Sequence, residues 1–90
     1  PNPLKLVELW GQYYKKGAYQ ISHYHVHSDW AFVYYVNTPA GSSPLVFDKS
    51  EKEVYSKAGE VVIFPGWLIH HVPDNKGEGR SVISGNLSYE

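Results

Sequence analysis

The stretch Gly59-Glu-Val-Val-Ile-Phe-Pro65-Gly66-Trp67-Leu-Ile-His70-His71-Val-Pro73 reads as strand, tight turn, strand. Val, Ile and Phe favour a half-buried pleated backbone. The Pro65-Gly66 pair between the two apolar runs supplies the reversal. The same punctuation recurs along the whole chain. Turn residues cluster at Gly11, Lys16-Gly17, Thr38 to Pro44, Lys49 to Lys52, Lys57 to Gly59 and Pro73 to Gly79. Between them lie runs of β character at 4–10, 12–14, 18–25, 30–37, 45–48, 53–56, 60–64, 68–72 and 80–89. No window holds a convincing 3.6-residue period. Eight or nine short strands at regular spacing predict an all-β sandwich or barrel.

Composition bounds the function. Ninety residues leave room for one domain, 1–90, and the start at Pro1 suggests the core of a longer protein or a processed chain. At 42% apolar and 19% charged residues the chain is globular rather than disordered. A net charge of −1 and no basic patch argue against a duplex nucleic-acid binder. No apolar run is long enough to span a membrane, so a cytoplasmic protein is the expectation. With no cysteine, disulfides and thiolate metal sites are excluded. Eight Tyr and three Trp on a thin β domain suggest a homodimer, because aromatics are enriched at interfaces.

Side-chain alternation adds detail. In the last run Arg80, Val82, Ser84, Asn86 and Ser88 share one face. That face is too polar for a dry core and suits the lining of a wet cavity or the outside of the sheet. In the run 30–37 both faces are largely apolar, which predicts a strand buried on both sides.

The histidines carry the chemistry. In Gly17-Ala-Tyr-Gln-Ile-Ser-His23-Tyr-His25-Val-His27-Ser-Asp29, an extended backbone aims His23, His25 and His27 the same way. Residues i and i+2 on a strand sit about 6.5–7 Å apart. Two imidazoles at that spacing can lean onto one ion at about 2.0–2.1 Å. His70 and His71 face opposite ways on a regular strand, so only one of them should join such a site. Neutral imidazole suits Fe, Zn, Cu and Ni alike.

These residues resemble the two cupin motifs: Gly17, His23, His25 and Asp29 in the first, Gly59, Pro65 and His70 in the second. Asp29 stands in place of the usual Glu, and Trp67 in place of a Gly. A closer resemblance is to the 2-oxoglutarate/Fe(II) oxygenases of marine bacteria and cyanophages. It rests on Trp10, Lys16-Gly17-Ala18-Tyr19, His23 to Ser28, Tyr34-Tyr35-Val36, Gly59 to His70, Arg80 and Asn86. Both families share the double-stranded β-helix, a cupin-like jelly-roll barrel, and that is the fold the resemblance implies. It further implies Fe(II) held by His23 and His70, with His25 where most such oxygenases carry a carboxylate. Asp29 from a shifted position, or a pair made of His25 and His27, are the alternatives. Arg80 would bind the distal carboxylate of 2-oxoglutarate as a bidentate guanidinium pair, helped by a hydroxyl from Tyr35 or Tyr34. Apart from the resemblance, Ser84 and Asn86 share the face of Arg80 and could line the cavity, and the polar, Gly-rich loop 73–79 is of the sort that gates a site, although most such loops are only connectors. The implied activity is hydroxylation of a small molecule or peptide. The rival readings are a cupin-type metalloprotein without 2-oxoglutarate, acting as an isomerase, a dioxygenase or a binder of small ligands, and a non-catalytic jelly-roll interaction module.

Overall fold

The computed structural model describes residues 3–90, and every described element is a strand. In chain order they are β1 (Leu4–Tyr14), β2 (Gln20–His23), β3 (Trp30–Asn37), β4 (Leu45–Phe47), β5 (Lys52–Val54), β6 (Val61–Pro65), β7 (His70–Val72) and β8 (Arg80–Tyr89). They form two antiparallel four-stranded sheets, β1-β8-β3-β6 and β2-β7-β4-β5. Apart from the β4–β5 hairpin, every connection crosses from one sheet to the other. That is the winding of a double-stranded β-helix, or jelly roll.

The strand positions follow the turn residues closely, with two departures. The runs 4–10 and 12–14 are one strand, because Gly11 stays paired with Ile83 and the irregularity falls earlier, between Leu6 and Glu8. The run 18–25 is cut short at His23, and residues 24–29 form a loop in which His27 takes a positive φ of 64°. His25 is therefore held by a loop and not by a strand.

The core lies between the sheets and is built from inward side chains such as Tyr14, Val33, Tyr35, Leu45, Phe64 and Val82. The expectation that β3 is buried on both sides is not met. Ala31, Val33 and Tyr35 are buried, whereas Tyr34 and Val36 on the opposite face are exposed. Periodicity reports apolarity, and nothing among the described residues covers Tyr34 and Val36.

The loop 73–79 is anchored rather than free. Asn75 is 0% exposed. Its side-chain oxygen accepts from the Ser43 backbone N–H at 3.0 Å, and its amide donates to the Tyr14 and Gly77 carbonyls at 3.0 and 2.7 Å. One side chain thus ties three connections together, which argues against a gating loop. No helix among the described residues is long and apolar enough to cross a membrane.

Candidate metal centre

His23 closes β2 and His70 opens β7, and the two are direct partners across the antiparallel pair. Directly opposed residues share a face of the sheet, so both imidazoles point inward, with ring centroids 4.2 Å apart. His25 joins them from the loop. Its backbone N–H donates to the Gly66 carbonyl at 2.9 Å, which docks the loop onto the Pro65-Gly66 turn. A side chain at Gly66 would run into the Ser28 carbonyl, so this docking requires glycine. The His25 ring stacks on Trp10 at 5.8 Å, and the His70 ring meets the edge of Phe64 at 4.8 Å.

The hydrogen bonds fix the tautomers. His23 Nδ1–H donates to the Ile21 carbonyl at 3.0 Å and His70 Nδ1–H to the Leu68 carbonyl at 2.8 Å. A carbonyl only accepts, so each Nδ1 carries the proton. His25 Nδ1–H donates to Asn86 Oδ1 at 2.5 Å, and the Asn86 amide in turn donates to Glu8 Oε1 at 3.0 Å. The Glu8 carboxylate sets the orientation of the Asn86 amide, and the amide sets the imidazole. All three Nε2 atoms are left with bare lone pairs. Those of His25 and His70 face one another at 3.3 Å.

The candidate ligand atoms of His23, His25 and His70 all lie within 4.8 Å of one another, so the group could hold a metal ion. Two nitrogens at about 2.05 Å from an ion, with a tetrahedral angle between them, are about 3.3 Å apart. Burial favours the neutral imidazoles that a metal needs. It pushes the His70 pKa down to about 4 and lowers that of His25 as well. The residues present fit a divalent transition ion, with one ring nitrogen of each histidine held by a partner as metal-ligating histidines usually are.

The alternatives do not join this group. Asp29 turns away and accepts from the Tyr89 backbone N–H at 2.9 Å. His27 is exposed at the positive-φ position, so the pair of His25 with His27 is not formed. His71 does face the other way, as alternation requires. It bonds Asp48 at 2.6 Å, and Ser22 donates to the same carboxylate at 2.5 Å. The Ser22 and His71 hydrogen bonds lower the Asp48 pKa.

A cavity of about 250 Å³ joins the three histidines to Arg80. Arg80 starts β8 on the same face as Ser84 and Asn86, and all three are buried. Arg80, Val82 and Ser84 line the cavity, as one of the two readings of that face has it, whereas Asn86 does not line it and instead bonds His25 from behind. Arg80 is 1% exposed. It donates from Nε to the Ser43 carbonyl at 3.0 Å and lies over the rings of Tyr14 and Tyr35 at 4.6 and 5.4 Å. No carboxylate pairs with it among the described residues, and its Nη1 has no hydrogen-bond partner. Tyr35 is packed behind Arg80, with its own hydroxyl buried and unpartnered, and the cavity wall is formed by Tyr14. Burial raises both phenol pKa values. Tyr34 points to the outer face and is no part of the site. Sequence reading missed Gln12 and Gln20, which meet at 3.4 Å between the two sheets and line the cavity. It also missed Glu8 and the stack of Trp10 on His25.

No family model matches the chain, and no curated protein sequence matches it. Among solved structures it is similar to an RmlC-like cupin protein from Desulfovibrio desulfuricans. The similarity has a TM-score of 0.66 at 16% sequence identity, over 97% of this chain and 81% of that one. The fold is therefore cupin-like. The closer resemblance to marine oxygenases rests on its motifs alone.

Proposed function

We propose that this barrel is a metal-dependent enzyme that works on a small carboxylate ligand, with the ion held by His23, His25 and His70 and the carboxylate by Arg80. One observation carries the reading. Three imidazoles with their outer nitrogens tied back share a small cavity with a buried arginine that has an unpaired nitrogen and no counter-ion. Buried charges in proteins are normally paired, and a carboxylate is the natural complement of a guanidinium fork.

The chain's own groups divide the work. Arg80 orients the ligand through its charged end. Val33, Leu45, Val72 and Val82 give the cavity apolar walls that exclude water and strengthen every charge interaction within it. Glu8 and Asn86 hold His25 in the tautomer that leaves Nε2 free. A bound divalent ion would supply Lewis-acid polarisation and, if iron, one-electron chemistry.

A second reading narrows the first to an Fe(II)- and 2-oxoglutarate-dependent oxygenase hydroxylating a small molecule or peptide. The unpaired Arg80 on β8 favours it, since it offers the anchor a dicarboxylic cosubstrate would need. His25 weighs the other way, because it takes the place of the carboxylate in the usual two-histidine, one-carboxylate set. Two measurements separate the readings. Elemental analysis and metal titration test the centre: one equivalent per chain is expected, and none would overturn both. Anaerobic protein with Fe(II) and 2-oxoglutarate should show a weak visible charge-transfer band on the oxygenase reading. Carboxylate binding without that band would leave the broader reading and remove the oxygenase.

A further inference from the structure

The outer face of the β1-β8-β3-β6 sheet has no part in the cavity and is unpartnered among the described residues. Its middle row runs Leu9–Gly85–Phe32–Ile63 across the four strands. The rows on either side, through Ile83 and Leu87, are also apolar or glycine at every position. No charged side chain interrupts this grid. Leu9 and Ile63 are each 57% exposed, and Tyr34 near the centre is 40% exposed. The Phe32 ring lies over Gly85 and fills the space that a Cβ at that position would need.

We infer that this face is the interface of a homodimer, with a second copy of the same chain as its occupant. The first argument is area. Four strands at about 4.8 Å spacing, over about 20 Å of strand, give roughly 400 Å² in projection. That already matches the largest apolar patch of an ordinary monomer, about 300–600 Å². With the exposed rim residues Tyr13 and Tyr89 added, each copy can bury close to the roughly 600 Å² at which specific interfaces begin. The second argument is pattern. A different protein partner would be selected by complementary charges, and the grid offers none. An uncharged apolar sheet face meets no like-charge repulsion from its own copy across a two-fold axis lying in the interface plane, and twisted sheets stack readily in aligned pairs. The cavity lies on the opposite side of this sheet, so pairing leaves the metal centre as described.

The test is molar mass by light scattering on the full chain at 20 µM. The wild type should show twice the 10.2 kDa of one chain. Tyr34→Lys and Tyr34→Glu place charge near the centre, where the axis brings each residue close to its own copy. Each should run at half the wild-type mass with an unchanged circular dichroism spectrum. An equimolar mixture of the two should recover the doubled mass. Tyr55→Lys, at a position 70% exposed and off this face, should stay dimeric and control for added charge. A wild type at 10.2 kDa would overturn the inference and leave the face to another partner. A doubled mass that survives both Tyr34 changes would overturn it equally, by moving the interface elsewhere.

Discussion

Replacing Arg80 with Met separates a functional arginine from a structural one. The side chain gains a charge-assisted hydrogen bond to the Ser43 carbonyl, worth about 1.5–3 kcal/mol. It also gains two cation–π contacts, each about 0.5–2 kcal/mol. Against this stands the removal of a guanidinium from water, which costs several kcal/mol, and about 2 kcal/mol of rotamer entropy. The opposing terms nearly cancel. Met fills similar space without the charge, so the metal-free variant should unfold within about 1.5 kcal/mol of the wild type, read by urea titration of tryptophan fluorescence. Ligand binding should behave differently. Calorimetric titration of the metal-loaded protein with glutarate or 2-oxoglutarate should weaken by about 2–5 kcal/mol, roughly 30-fold to a few thousand-fold in Kd. A variant destabilised by more than about 3 kcal/mol, as when a compensated buried charge is broken, yet binding carboxylates as before, would refute the reasoning. Arg80 would then be a strut between Ser43 and the two tyrosines.

Asn86→Ala should lower metal affinity by about 10–100-fold, the usual effect of removing the partner of a ligating histidine; competition with a chromophoric chelator measures it. Asn75→Ala leaves one N–H and two carbonyls without their partner. It should cost about 3 kcal/mol and lower Tm by about 15 °C, visible in a thermal melt. The pH dependence of the metal-free protein follows from His70, whose pKa is depressed to about 4 by burial. Between about pH 6.5 and pH 4 the unfolded chain binds a proton that the folded chain refuses. The His70 contribution to stability is therefore complete above pH 6.5 and lost as the pH falls through that window. His25, also lowered, acts in the same direction. A Tm that stays flat from pH 7.5 to 4.5 would contradict the burial of neutral imidazoles.

What could be read from the sequence depended on how far each signal travels along the chain. The strands were legible because Gly and Pro act on their own neighbours and alternation is local. His23, His25 and His70 were legible as ligand types, and Arg80 as a residue on a polar face. The support around them was not. Glu8 reaches Asn86 across 78 positions, and Asn75 reaches Tyr14 across 61. Neither pairing leaves a local pattern, because it exists only once β1 lies beside β8 and the loops have met. His27 failed for a related reason. Strict alternation groups it with His23 and His25, but the strand ends at His23, and docking onto Gly66 sends the backbone elsewhere. The outer side of β3 shows the limit from the other direction. Its apolar residues were read as a buried face, yet Tyr34 and Val36 are exposed there, because alternation reports the residue types and not what packs against them.

The arrangement of the histidines also bears on how fold and site depend on each other. Each Nδ1–H is committed to an oxygen, so neither His25 Nε2 nor His70 Nε2 has a proton to offer across their 3.3 Å separation. Two facing acceptors in a partly dry cavity repel, and a cation between them turns the repulsion into attraction. The surrounding bonds hold them there regardless: the strand pair for His23 and His70, the Gly66 docking and the Asn86 amide for His25. The barrel therefore spends stability to keep three lone pairs converging, as functional sites commonly do. Binding an ion would release that energy, which is contained in the Kd and so in the mass-action gain, about 4 kcal/mol at a thousandfold excess over Kd. Relief of the repulsion should be absent when His25 is replaced by Gln, which can keep a polar group in the loop without a second imidazole facing His70. The metal-free variant should then melt higher than the metal-free wild type, and a Tm no higher would show that the three nitrogens converge at no cost.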